Sequence, residues 1–89
     1  MKKIVSTATA GFVEKNDVLV TVEPLGNGID IALTSDVERQ YGQHIRNLIR
    51  ETVQEAGYEN VKVTAIDKGA WDYTIIARVL GALQRGEQA

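Results

Sequence analysis

The sequence predicts an α+β domain in two layers, an antiparallel sheet packed by one long amphipathic helix, with a short C-terminal helix. Three observations lead there. Apolar and polar residues alternate in "IDIALTS" (29–35) and in "NVKVTAID" (60–67), the period of a half-buried strand. Val37, Tyr41, Ile45, Leu48, Ile49, Val53 and Ala56 recur at the spacing of a single helical face. A chain of 89 residues has surface enough to close over one core, so residues 1–89 read as a single domain.

Taken in order, the elements are as follows. Residues 4–13 and 17–23 read as two strands of a hairpin, the second rich in β-branched residues. The polar tetrapeptide Glu14-Lys15-Asn16-Asp17 between them is the turn, and Asn16 is its residue most tolerant of positive φ. Pro24 stops the second strand, and "LGNG" (25–28) turns the chain into the strand 29–35. Ser35-Asp36-Val37-Glu38 reads as a capping box, a serine followed three residues later by a glutamate. It opens a helix that ends at Gly57, a residue suited to a left-handed stop. After the strand at 60–67, "DKGA" supplies a turn in which Gly69 takes positive φ. "WDYTIIARV" (71–79) fits two periods. Trp71, Tyr73, Ile75, Ala77 and Val79 alternate as in a strand, whereas Ile76, Val79, Leu80 and Leu83 lie on one helical face. The turn before it favours a strand paired with Val61–Ile66, followed by a short helix from about Leu80 and a frayed tail, "RGEQA".

Composition narrows the classes of function. Hydrophobic content of 44% with 25% charged residues is that of a folded chain rather than a disordered one. A net charge of -2 gives no electrostatic reason to expect nucleic acid or an anionic membrane as partner. There is no cysteine, which removes disulfides and thiolate metal sites and suits a cytoplasmic protein. Any thioester chemistry would need a thiol brought in on a cofactor. "MKKIVSTATAG" has no continuous apolar segment of the kind a signal peptide needs. The most apolar stretch, 73–83, is broken by Arg78 and Gly81 and is too short to span a bilayer.

Few side chains suggest catalysis. His44 is the only histidine, and a metal site needs several ligands, so it reads as a surface residue. Ser6, Thr7, Thr9 and Ser35 assemble into no Ser-His-Asp arrangement. Gly26-Asn27-Gly28 is too short for a phosphate loop and precedes a strand. The segment Asp67–Asp72 reads as a hairpin turn with its tryptophan packed on the sheet, although an aromatic beside an exposed turn also makes a docking contact. Glu14–Asp17 reads first as a solvated turn. A lysine at a hairpin tip is also how lipoyl and biotinyl domains present their modified residue, but those domains are all-β and lack a helix like 35–57.

Three motifs extend this reading: "AG..E..DV" at 10–18, "SDVERQYGQHIRNLI" at 35–49 and "DKGAWDYTIIARV" at 67–79. In type, spacing and order they resemble the acyl carrier (gamma) subunit family of citrate lyase, over nearly the whole chain. The family pattern there is S-S-V-E-K-Q-F-G and then D-K-G-A-L-D-C-T-I-x-A-R. The resemblance supports the hairpin reading of 60–79. It implies a carrier rather than a catalyst. The implied cofactor is a 2'-(5''-phosphoribosyl)-3'-dephospho-CoA arm, attached by a prosthetic-group transferase through a phosphodiester to a serine and ending in a thiol that holds acetyl. The implied partners are an alpha subunit that exchanges acetyl for citrate and a beta subunit that cleaves the citryl thioester to oxaloacetate.

Laid without a gap on the family's A-G-x-L-E-S-x-D, the segment matches at Glu14 and Asp17 and places Lys15 where the modified serine stands. The expected cofactor region is therefore Glu14, Lys15 and Asp17, with the acceptor hydroxyl absent, and the expected secondary partner contacts are Asp67, Lys68 and Trp71. Three readings of the substitution stand. The chain is a divergent member without the arm, acting as an interaction or scaffold module; or the arm sits on another hydroxyl, Ser6 or Thr9 being nearest upstream; or the lysine takes a different modification.

Overall fold

The structure, a computed structural model, describes residues 2–88. Its elements are β1 (Ala8–Ala10), β2 (Val18–Pro24), β3 (Ile29–Ser35), α1 (Glu38–Glu55), β4 (Val61–Asp67) and α2 (Asp72–Glu87). The sheet runs β1-β2-β4-β3. β1 and β2 are antiparallel, as are β2 and β4, but β3 and β4 are parallel. The sheet is therefore mixed rather than antiparallel. The reason lies in the connection: β3 reaches β4 through the whole of α1, and a helical crossover returns the chain in the same direction.

Register sets the core. Val18, Val20 and Val22 stand opposite Asp67, Ala65 and Val63, and across the parallel pair Ile31, Leu33 and Ser35 meet Val63, Ala65 and Asp67. The inward set Val18, Val20, Val22, Val61, Val63 and Ala65 is fully buried. Both helices lie on that face, α1 over β3 and α2 over β1 and β2, and they also pack on each other. α1 contributes Ile45, Ile49 and Val53, and α2 contributes Ile75, Val79, Ala82 and Leu83.

Of the expected strand at 71–79, residues 72–79 belong to α2, which at 16 residues is not short, and Trp71 caps its start. Ile75 and Val79 are four apart, a spacing that satisfies both periods, but the buried set continues through Ala82, Leu83 and Gly86, which only a helix satisfies. β4 also has no free edge for a further strand, because β2 and β3 occupy both of its sides. α2 continues through Arg85 and Glu87 of the tail expected to fray, and Ala89 lies outside the described residues.

The first strand is three residues rather than ten. Before it, Val5 N and Ser6 N both donate to Gly86 O, at 2.8 and 3.2 Å, so this segment is tied to the end of α2 instead of to β2. After it, Gly11 breaks the ladder. Its φ is 90°, and a Cβ there would collide with the Val18 carbonyl.

The capping box does not form. α1 begins at Glu38 without a side-chain cap, and the Glu38 carboxylate accepts instead from Arg46 Nη2 at 2.7 Å. Ser35 ends β3, its hydroxyl accepting from Val37 N at 3.1 Å and donating to Asp67 Oδ2 at 2.7 Å. Gly57 stops the helix at φ 94°, as its sequence position predicts. Among the described residues no helix is long and apolar enough to cross a membrane.

Candidate functional site

Because Val18 pairs with Asp67, the loop 11–17 that leads into β2 stands beyond the C-terminal ends of β3 and β4. α1 and α2 both begin at this end of the molecule, each following one of those strands. The loop is held in place. Asn16 N donates to Lys68 O at 2.7 Å, and Lys68 N donates to Asp17 O at 2.9 Å, so the β2–β4 ladder continues two residues past the strands. Asp17 N donates to Glu14 O at 3.0 Å and closes a four-residue turn. Asn16, third in that turn, has φ 64°, a conformation its short polar side chain tolerates. Glu14, Lys15 and Asn16 are exposed, and the Lys15 amine has no hydrogen-bond or ion-pair partner among the described residues.

Asp17, by contrast, points inward. Its carboxylate accepts from Arg78 Nε at 3.0 Å and Nη2 at 2.9 Å, and from Val18 N at 2.7 Å. The hydrogen bonds from the Arg78 guanidinium outweigh the opposing effect of burial and hold this carboxyl below its ordinary 3.8. Asp17 therefore anchors the tip to α2. Arg78 is the one structural partner of the tip that the sequence does not reveal. It sits 61 residues away, and only its place in the third motif marks it at all.

Asp67 is 1% exposed and has no surface to offer a partner. It accepts from Ser35 Oγ, from Gly69 N at 3.3 Å and from Ala70 N at 2.9 Å. A polar residue in a polar turn reads as solvated, but here the carboxylate organises the turn from inside. Lys68 is partly exposed, its amine 3.4 Å from Asp36, and Gly69 has φ 82° as predicted. Trp71 does not pack on the sheet. It precedes the first turn of α2, accepts from Thr74 N and Ile75 N, both at 3.0 Å, and leaves its side chain outside, 64% exposed. His44 is exposed, as expected, with Nε2 2.9 Å from the Asp72 carboxylate across the two helices. Between those helices, Tyr41, Trp71 and Tyr73 line a shallow cleft of about 560 Å³.

The sequence-predicted residues thus separate into a tip (Glu14, Lys15, Asn16, with Asp17 beneath), a supporting turn (Asp67, Lys68) and an aromatic face beside it (Trp71). The family whose description is "Malonate decarboxylase delta subunit (MdcD)", an acyl carrier family, matches residues 5–86. The chain belongs to this acyl carrier family. It is 44% identical over 86 residues to the citrate lyase acyl carrier protein of Halothermothrix orenii, covering 97% of this chain and 92% of that one. Identity is 48% over 82 residues to the corresponding protein of Streptococcus uberis (92% and 81% covered) and 46% over 86 residues to that of Streptococcus mutans (96% and 84%). Among solved structures, a chain of a Pseudomonas malonate decarboxylase hetero-tetramer, determined in complex with malonate, has the same fold. Its TM-score is 0.80 at 18% identity, with 94% of this chain and 87% of that one covered. As an acyl carrier family member the chain is a carrier subunit and not a catalyst.

A phosphodiester-linked arm needs a hydroxyl at the tip, and residues 12–17 hold none. The Lys15 amine would give a phosphoramidate instead. The hydroxyls nearest in sequence do not replace it. Thr9 lies within the sheet opposite Thr21, Ser6 sits at the other end of the molecule beside Gly86, and Ser35 is committed to Asp67. The residues present at the tip do not fit this prosthetic group.

Proposed function

We propose that this chain is the carrier-type subunit of a citrate lyase or of a related acyl-carrier-dependent lyase, a single small cytoplasmic domain that seats on the larger alpha and beta subunits. One observation carries the reading: Glu14, Lys15 and Asn16 of the turn are exposed, yet the turn is fastened to Lys68 and, through Asp17, to Arg78 by backbone and side-chain bonds. A rigid support with an outward turn is what presentation to a second active site requires, since tethering raises the local concentration of whatever the turn carries. The names of the relatives support the same reading.

Lys15 favours a second reading alongside it, a member that keeps the docking role and carries no phosphodiester arm. Intact mass of the chain, isolated after co-expression with a citrate lyase prosthetic-group transferase, separates the two. A gain equal to the phosphoribosyl-dephospho-CoA arm, mapped to a hydroxyl peptide, establishes a working carrier with a displaced attachment point. An unmodified mass establishes the docking member.

A further inference from the structure

The chain has five aromatic residues, and four of them are more than half exposed: Phe12 at 61%, Tyr41 at 57%, Trp71 at 64% and Tyr73 at 72%. Only Tyr58 is in the core, at 4%. The four are not scattered. Tyr41 is in the first turns of α1, Trp71 and Tyr73 are at the start of α2, and Phe12 is in the loop that leads to the tip, so all lie at the end of the molecule from which Lys15 projects. Tyrosine and tryptophan dominate the energetics of protein interfaces, and a clustered exposed set in a small chain marks a contact.

The charges around this face define what it contacts. His44 is paired with Asp72 at 2.9 Å, Arg46 with Glu38 at 2.7 Å, Lys68 with Asp36 at 3.4 Å and Arg78 with Asp17 at 2.9 Å. Among the residues lining the cleft between Tyr41, Trp71 and Tyr73, only His44 and Asp72 are charged groups, and they are paired with each other, so the cleft itself offers no cation to a phosphate or an anionic lipid head; Lys15 at the tip and Arg39 on α1, both exposed, stand outside that lining. The complement of the face is an apolar, uncharged protein surface. A second copy of this chain fits less well, because a copy covering the aromatic face would also stand over the tip.

We infer that Tyr41, Trp71 and Tyr73 form the surface by which the chain seats on a catalytic subunit, against an apolar patch beside the cleft that receives the tip. The inference rests on the carrier reading above and adds the docking face to it. The seat and the tip share one end of the molecule, so a single approach engages both.

The test uses citrate lyase of Streptococcus mutans stripped of its own acyl carrier protein and titrated calorimetrically with the full chain. The double variant Trp71→Ser/Tyr73→Ser is expected to bind at least about 30-fold more weakly. Its melting temperature should match the parent, since both side chains lie outside the core. Val5→Ser, another exposed apolar position but at the far end beside Gly86, should bind as the parent does. Raising NaCl from about 50 to about 500 mM should change the parent's affinity less than about threefold, because the residues lining the cleft carry no unpaired charge to be screened. Equal binding by the double variant overturns the inference and leaves the carrier reading standing. So does a dimer of the parent, seen by sedimentation, that the double variant abolishes. If the parent does not bind while the enzyme's own carrier rebinds, the carrier reading falls and the inference falls with it.

Discussion

The carboxylate of Asp17 receives the guanidinium of Arg78 in a two-point fork, at 3.0 and 2.9 Å, and so joins the exposed tip to the middle of α2 across 61 residues of sequence. Paired, planar contacts of this kind fix orientation as well as position. The tip turn is therefore rigid because of a residue that forms no part of it.

This pair makes stability depend on pH in a definite direction. The folded-state pKa of Asp17 lies below its ordinary 3.8, so the folded chain binds fewer protons here than the unfolded one. The stabilisation is fully present above the ordinary value and is lost as pH falls through the lower, folded value. Asp17→Asn should remove that part of the acid dependence and lower the melting temperature at pH 7 by about 5 °C. Thermal melts of parent and variant from neutral pH down to about pH 2 should converge at the acid end. Curves that stay parallel would deny the fork its role.

Asp67 supports the same end of the molecule from below. Replacing it by alanine leaves the Ser35 hydroxyl and the amides of Gly69 and Ala70 without their acceptor. Unpaired buried groups cost about 1–3 kcal/mol each, so the loss should amount to several kcal/mol, discounted where water reaches the turn. Urea unfolding reads the total. Faster hydrogen exchange at the Gly69 and Ala70 amides distinguishes this cause from general loosening.

Much of this architecture is legible in the sequence where burial is one-sided. The strand at 29–35 and the start of the strand 61–67 show their alternation because one face meets the helices and the other does not. α1 is legible for the same reason, at its own period. Residues 71–79 are not, because Ile75 and Val79 fit either period, and deciding between them needs the knowledge that β4 already has two neighbours. Strand pairing is non-local, so the parallel β3–β4 contact has no local signature. At the tip, the turn at 14–17 is legible from its polar residues, and Asn16 from its tolerance of positive φ. That Asp17 faces inward, that Asp67 is buried and that Ser35 serves Asp67 rather than the helix all depend on partners more than thirty residues away.

The amphipathic assignment of α1 has a direct test at Ile45, which is 4% exposed and belongs to the core. Ile45→Asp buries an unpaired carboxylate, a penalty large enough to exceed the stability of a domain this size. No cooperative thermal transition is expected. A parent-like melt would mean that this face of the helix does not meet the sheet.

Lys15→Ser tests the tip chemistry with the least disturbance. The side chain is exposed and bonded to nothing described, and the turn is held by backbone groups of Glu14, Asn16 and Asp17 that the change leaves alone. Stability should therefore stay within about 0.5 kcal/mol of the parent. The variant supplies the one group the family arm requires, a hydroxyl on an exposed turn between Glu14 and Asn16. Co-expressed with a citrate lyase prosthetic-group transferase, it should gain the mass of the arm at residue 15, whereas the parent should not gain it there. If the folded serine variant stays unmodified, the transferase does not recognise this tip, and the departure from the carrier pattern extends beyond a single side chain.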